Sequence, residues 1–310
     1  MAEPVPLAPA PRPEPDPMSH VLVLIADPAR APLAPTLVRE LEAALAGRAR
    51  WLAPGEAAEI ASDLPAETIA ARARPLLDGE PLDRAILPAA GREKRLLLAD
   101  MDSTMITVEC LDELADYVGC KAEVAAITRA AMNGEIEYRE SLRRRVALLE
   151  GLPEGVIAEV IAERVRATPG AATLLATMRA RGAKSVLVSS GFRQFTRHVA
   201  ELLGFDEERG NELLVEAGTL TGRVAEPILD AGAKLATLEE LLAREGLPAE
   251  AALAVGDGAN DLPMLLRAGL GVAFRAHPRV RERAPVSIVH GDLTALLFLQ
   301  GIPASEHRRA

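Results

Sequence analysis

The chain has 310 residues, of which 49% are apolar, 26% charged and only 3% aromatic, a composition that suits two globular domains with aliphatic cores, of about 90 and about 220 residues. Its net charge of -10, from 35 basic and 45 acidic residues, argues against the broad basic face of a general nucleic-acid binder but leaves room for one local cationic pocket and a small anion. Two cysteines, Cys110 and Cys120, make no disulfide framework and point to a reducing cytoplasm, and no apolar run approaches a membrane span.

Residues 1–18 are rich in Pro and Ala with several acids; they read as a disordered tail and lack the basic-then-apolar order of a signal peptide. Residues 19–90 read as a small α+β module. The apolar run His20–Ala26 suits a buried strand, and Pro35 opens a helix with Leu37, Leu41, Ala44 and Leu45 on one stripe. A short strand around Trp51-Leu52, a helix from about Ala66 to Leu77 and a strand at Ala85–Leu87 complete it. Nothing in this module looks catalytic. Its one histidine, His20, reads as a core or surface residue rather than a ligand.

Residues 91–300 read as a larger α/β domain. Leu96–Ala99 is continuously apolar, as a central parallel strand should be. A helical block from about 107 to 168, broken by Gly119, Gly134 and Gly151-Leu152-Pro153, predicts a cap inserted after that first strand. Helix Ala171–Arg181, strand Ser185–Ser189 and helix Arg193–Leu203 follow. A hairpin is expected over Leu213–Val224 with its turn near Glu216-Ala217-Gly218, then helix Ala233–Arg244 and strand Ala251–Val255. Strands Gly271–Phe274 and Val286–Val289 and a helix near Leu293–Leu299 close the domain. Strands alternating with helices predict a parallel sheet covered on both faces.

In such sheets ligands bind beyond the carboxyl ends of the strands. There the chain carries Asp100-Met101-Asp102-Ser103-Thr104, Ser189-Ser190-Gly191 and Gly256-Asp257-Gly258-Ala259-Asn260-Asp261, with Lys234 at a helix start. A carboxylate nucleophile divides phosphate-ester hydrolysis into two easier steps. It is repelled by the phosphate, and Mg²⁺ held by Asp100 and Asp257 would offset that repulsion. Ser189 can hydrogen-bond a phosphoryl oxygen, and Lys234 can neutralise charge on the phosphoryl group and Asp100. Asp102 can protonate the leaving alcohol and then deprotonate the attacking water, provided the site raises its pKa. Backbone N–H groups near Asp102 and Ser190-Gly191 can complete the phosphate cradle. Met101 reads as steric filling, and Cys110 and Cys120 as packing residues in the cap. A lone Asp-x-Asp, Gly-Asp-Gly or helical Lys is an ordinary turn or surface feature; it is the ordered set that points to phosphoryl transfer.

Taken together, these motifs resemble the haloacid dehalogenase (HAD) superfamily of phosphatases, and within it the phosphoserine phosphatase family, over about residues 94–295. The resemblance implies a Rossmann-like core with Asp100 as nucleophile and Asp102 as general acid/base. It implies a Mg²⁺ ion held by the Asp100 carboxylate, the Asp102 backbone carbonyl and Asp257, with Asp261 in support. For the substrate, it implies hydrolysis of O-phospho-L-serine in the last step of serine biosynthesis. Glu109 would meet the ammonium group and Arg145 the carboxylate, while Met132 and Tyr138 wall the pocket. Ser189, Ser190, Gly191, Lys234 and Asn260 would line the phosphate side. Tyr138 stands where Phe is commoner, and Ser190 where relatives usually have Gly. Arg143, Arg144 and Arg145 are consecutive and cannot all face one pocket, so one or two of them should be solvated or paired with acids. The N-terminal module resembles ACT-like domains by position and rhythm, which implies homodimerisation or a response to an amino acid. A phosphotransferase passing the group to another alcohol, a phosphatase for another small phosphomonoester, and an inactive amino-acid-binding regulator are the alternatives.

Overall fold

The structure, a computed structural model, describes residues 20–132 and 135–309; the tail expected over 1–18 lies outside them. The N-terminal module runs β1 (His20–Ala26), α1 (Pro35–Ala44), β2 (Arg48–Ala53), β3 (Ala57–Ser62), α2 (Ala66–Leu77) and β4 (Leu82–Pro88). Its four strands form an antiparallel sheet in the order β2-β3-β1-β4, the βαββαβ arrangement of split-βαβ folds. Strand β3 was not expected from the sequence. Its Ala-Ala-Glu-Ile-Ala-Ser stretch has a single β-branched residue, and alanine is depleted in strands; pairing with β1 and β2 on both edges holds it extended.

Alternation along β1 sends Leu22, Leu24 and Ala26 into a core with Val38, Leu41, Ile69 and Leu77 of the two helices. Val21, Val23 and Ile25 instead join a core shared with Leu293, Leu296 and Leu297 of the larger domain. Two polar anchors reinforce this junction. Buried Asp83 of β4 accepts N–H bonds from Val289 (2.7 Å), His290 (3.0 Å) and Gly291 (2.8 Å). Arg92 donates to Glu59 at 2.6 Å and to the Leu299 and Phe298 carbonyls at 3.0 and 3.1 Å. Asp83→Ala would orphan three backbone donors at one buried point. The expected cost is about 2–4 kcal/mol of unfolding free energy, read by urea denaturation; a change below about 0.5 kcal/mol would show that the junction does not depend on this carboxylate.

The larger domain begins with β5 (Leu96–Ala99), whose four residues are fully buried. A cap of α3 (Cys110–Tyr117), α4 (Lys121–Met132), α5 (Tyr138–Ala147) and α6 (Gly155–Arg164) follows. The chain then returns through α7 (Ala171–Ala180), β6 (Lys184–Phe192), α8 (Arg193–Leu203) and β7 (Glu207–Asn211). Next come the hairpin β8 (Leu213–Glu216) and β9 (Thr219–Val224), α9 (Ala231–Glu245), β10 (Ala252–Gly256) and α10 (Leu262–Arg267). The domain closes with β11 (Leu270–Phe274), α11 (Pro278–Arg281), β12 (Val286–Ile288) and α12 (Ala295–Leu299). All neighbours in the six-stranded sheet are parallel, in the order β12-β11-β10-β5-β6-β7. Strand β7, Glu-Glu-Arg-Gly-Asn, was also missed. It is a polar edge strand without the apolar run that marks its neighbours.

The hairpin turns on Ala217 and Gly218, both at positive φ (50° and 79°), the backbone twist a two-residue turn requires. It is tied to the cap rather than to the main sheet: Gly151 N–H donates to Leu220 O, Leu220 N–H to Leu152 O and Glu154 N–H to Gly218 O. Among the described residues no helix is long and apolar enough to cross a membrane.

Candidate active site

Because β5 lies between β10 and β6, with Ala99 level with Val255 on one side and Leu187 on the other, the ends of these strands bring Asp100, Asp257 and Ser189 together. The Asp100 N–H donates to Val255 O at 3.0 Å, extending the sheet to the carboxylate's own backbone. The chain then makes a tight turn over Met101–Met105 with Ser103 at φ 54°, a left-handed conformation that costs a non-glycine residue about 1–2 kcal/mol. Met101 is fully buried and packs into the core, as its reading as filling requires.

Lys234, one turn into α9, is completely buried, and its Nζ lies 2.6 Å from Asp100 Oδ1 and 2.6 Å from Asp261 Oδ1. Helix α9 starts earlier than the sequence pattern suggested because Asp230 caps it, accepting the Ala233 N–H at 3.1 Å. Two carboxylates hold Lys234 protonated, above the ordinary lysine range against the opposing effect of burial. Burial, then the Asp261 charge, pushes Asp100 well up despite the pull of Lys234. Burial and Asp261 likewise push Asp257 up to about 6. One ammonium is therefore too little positive charge for this set of acids.

The carboxylate oxygens of Asp100, Asp257 and Asp261 come within 4.8 Å of one another, an all-oxygen donor set that fits a hard divalent cation. Asp261 is the least free of the three, since Oδ1 meets Lys234 and Oδ2 accepts the Gly258 N–H at 2.9 Å. Asp257 is steadied by Thr104, whose hydroxyl donates to its Oδ1 at 2.9 Å.

Asp102 points into the same space. Its Oδ1 accepts the Cys110 N–H at the start of α3 (2.9 Å), and its Oδ2 the Ser189 hydroxyl (3.3 Å). Withdrawal from water raises its pKa against these bonds, the direction an acid that must begin protonated requires. Gly191 is required by its closeness to this group, for a Cβ there would lie 2.6 Å from Asp102 Oδ2. Its N–H donates to Ser189 Oγ at 2.8 Å. Asn260 reaches Ser190 Oγ at 3.3 Å.

The cap closes a cavity of about 370 Å³ over these strand ends, lined by Asp100, Asp102, Ser189, Ser190, Gly191, Asp257 and Asn260 below. Above them stand Glu109, Tyr138, Ser141, Leu142 and Arg145. Glu109 accepts the Ser103 hydroxyl at 2.5 Å. The residue as a whole is exposed, but its carboxyl faces the acidic cluster; partial withdrawal from water, then the Asp102 charge, push it up to about 8. The three arginines separate as expected. Arg143 pairs with Glu226 (2.7 Å) and Arg144 with Glu140 (2.7 Å), both exposed, while half-buried Arg145 turns into the cavity without a salt bridge among the described residues. The Tyr138 hydroxyl lies 3.5 Å from Ser190 O, linking cap and core. Met132 ends α4; its side chain lies outside the described residues.

Thr104, Ser141 and Asn211 are polar residues of the site that the sequence reading did not assign a role. Thr104 carried a signal, a hydroxyl four residues after Asp100. Ser141 sits one helical turn before Arg145, on the same face. Buried Asn211 had none: its amide donates to Ser190 O (2.8 Å) and Leu229 O (3.3 Å) and accepts the Leu229 N–H (2.7 Å), tying the Ser190 loop to the segment that leads into the Lys234 helix.

With this geometry in view, residues 97–266 match the model of the haloacid dehalogenase-like hydrolase family. The chain is 52% identical over 210 residues to a phosphoserine phosphatase of Albidiferax ferrireducens, covering 66% of this chain and 89% of that one. Among solved structures it is similar to a HAD family hydrolase from Salmonella enterica serovar Typhi, with a TM-score of 0.79 at 31% identity over 91% of this chain and 98% of the other. A probable phosphoserine phosphatase from Vibrio cholerae, in unliganded form, gives a TM-score of 0.75 at 29% identity over 93% and 88%. Both structural matches span the N-terminal module as well as the catalytic core. A parallel sheet with a helical cap after its first strand, and an acidic cluster at the strand ends beside a buried lysine, agree with that match: the chain belongs to the haloacid dehalogenase-like hydrolase family.

Proposed function

We propose that this protein is a phosphoserine phosphatase, hydrolysing O-phospho-L-serine to L-serine and phosphate through an aspartyl-phosphate on Asp100. The observation that carries the reading is a single cavity with Asp100 on its floor and both Glu109 and Arg145 on its wall. A phosphomonoester alone needs only the floor. An acid and a cation beside it suit a substrate that also bears an ammonium and a carboxylate.

An Asp100 carboxylate oxygen attacks phosphorus as the bond to the serine oxygen breaks. Asp102, protonated at the start, gives its proton to the leaving oxygen, and serine departs. The resulting Asp102 carboxylate takes a proton from water as that water attacks the phosphorus of the aspartyl-phosphate; phosphate leaves and Asp100 is restored. The Ser189 hydroxyl, steadied by the Gly191 N–H, orients the phosphoryl oxygens, and Lys234 holds Asp100 in line while balancing its charge. Asp100, Asp257 and the Asp102 carbonyl would hold a Mg²⁺ ion, with Asp261 in support, and the ion would offset repulsion between nucleophile and phosphate. The substrate's ammonium favours the ionised form of Glu109, and Arg145 pairs with its carboxylate. Tyr138 would exclude water when the cap is shut.

On the same footing, residues 19–90 are read as an ACT-like domain suited to homodimerisation or to sensing an amino acid, and the enzyme as cytoplasmic.

A panel of small phosphomonoesters, run with Mg²⁺ on the parent and on Arg145→Ala, tests the substrate. The variant should lose about a hundredfold in kcat/KM for phosphoserine and keep the parent's weak rate on phosphoethanolamine, which has no carboxylate. Equal losses on both substrates would take Arg145 out of carboxylate recognition. A parent that shows no preference for phosphoserine would overturn the substrate itself.

A further inference from the structure

One side chain on the cavity wall is left with a chemical need that the folded chain does not meet. Ser141, in the first turn of α5, is 0% exposed and borders the cavity. Its Oγ is buried without a hydrogen-bond partner among the described groups. A helical serine usually satisfies itself by donating to the carbonyl four residues back. Here the Glu137 carbonyl accepts the Ser141 backbone N–H at 2.9 Å and has a second lone pair to offer, yet the hydroxyl makes no such bond.

A buried hydroxyl without a partner is costly, and native proteins rarely keep one unless something else arrives to meet it. The surroundings say what arrives. Ser141 and Arg145 lie one helical turn apart on the same face, and the Arg145 Nε is directed at the Ser141 carbonyl at 3.4 Å. Both residues border the cavity wall with Tyr138 and Leu142. A group engaged by the Arg145 guanidinium therefore lies within reach of the next turn of the helix.

We infer that Ser141 is a specificity-determining residue whose hydroxyl donates a hydrogen bond to the substrate carboxylate beside Arg145. The inference rests on the phosphoserine reading and adds a second donor to it. A carboxylate has acceptor sites beyond those a guanidinium fork fills, and a neutral donor on the same helical face occupies one of them without adding charge. Ser141 acts on binding rather than on the phosphorus, so its effect belongs in KM and not in kcat.

The test compares the parent, Ser141→Ala and Ser141→Thr on phosphoserine and on phosphoethanolamine, with thermal unfolding of each ligand-free protein. Ser141→Ala should raise KM for phosphoserine about tenfold at unchanged kcat and leave phosphoethanolamine kinetics as in the parent. Because it deletes a polar group that has no partner in the empty enzyme, it should also raise the melting temperature, whereas loss of a merely structural hydrogen bond would lower it. Ser141→Thr keeps the hydroxyl and should recover part of the lost affinity. An unchanged KM for phosphoserine, or equal losses on both substrates, overturns the inference while the parent's preference for phosphoserine stands. Loss of that preference in the parent would instead refute the substrate reading beneath it.

Discussion

Asp100→Asn should turn over phosphoserine at least about ten-thousand-fold more slowly than the parent, since the exchange removes the nucleophile and, with its charge, one carboxylate of the Lys234 pair and of the acidic cluster. The amide has almost the same shape, so the turn over Met101–Met105 and the Val255 contact are retained. What disappears is the anionic oxygen that bonds to phosphorus; the amide oxygen left behind is a far weaker nucleophile. The variant should also melt no lower than the parent. Burial and neighbouring acids raise the Asp100 pKa in the folded state, so its protonated form is favoured there, and stability is lost as pH rises through the folded-state value. A neutral side chain escapes that loss near neutral pH. Lys234 keeps Asp261 as a partner at 2.6 Å. Phosphate release and thermal unfolding measured together separate the alternatives: an inactive, well-folded variant supports the nucleophile, and appreciable turnover removes Asp100 from that role.

Lys234→Met should damage stability and catalysis together. The ammonium is fully buried between Asp100 and Asp261, and a methionine would fill much of its volume while leaving two carboxylates face to face. Removing one partner from a buried ionic group typically costs about 3–5 kcal/mol, and that loss should appear in urea denaturation of the metal-free protein. Turnover should fall by about a thousandfold, since Lys234 both holds the nucleophile and balances charge on the phosphoryl group. Lowering the pH should restore part of the lost stability, because protonating either carboxylate relieves the repulsion. A variant as stable as the parent, with kcat within about tenfold of it, would contradict the role given to this lysine.

How much of this was legible in the sequence depends on how local each cause is. Strand Leu96–Ala99 and the carboxylates after it could be read because a central parallel strand is continuously apolar and its functional residues follow at once. That Arg143, Arg144 and Arg145 could not all face one pocket followed from helical geometry, whereas the choice of Arg145 came from the family resemblance. Strands β3 and β7 escaped because pairing partners, not their own residues, make them extended: β3 is mostly alanine, and β7 is a polar edge. Asp102 shows the middle case. Its position could be read, but its raised pKa depends on burial in the assembled site. Asn211 and Asp83 lay beyond reach, since each acts on backbone groups distant in sequence, Asp83 on Val289–Gly291 across the domain junction. Ser141 is similar, for only the assembled cavity reveals that its hydroxyl lacks a partner.

Trapping the covalent intermediate tests Asp100 as the nucleophile most directly. Enzyme mixed with phosphoserine labelled in its phosphate, quenched in acid during turnover and reduced with borohydride should yield homoserine in place of aspartate at one position, since an acyl-phosphate is reducible and a free carboxylate is not. That position should be Asp100, with no conversion in Asp100→Asn. Conversion at another carboxylate, or turnover of phosphoserine without any trapped acyl-phosphate, would contradict that role.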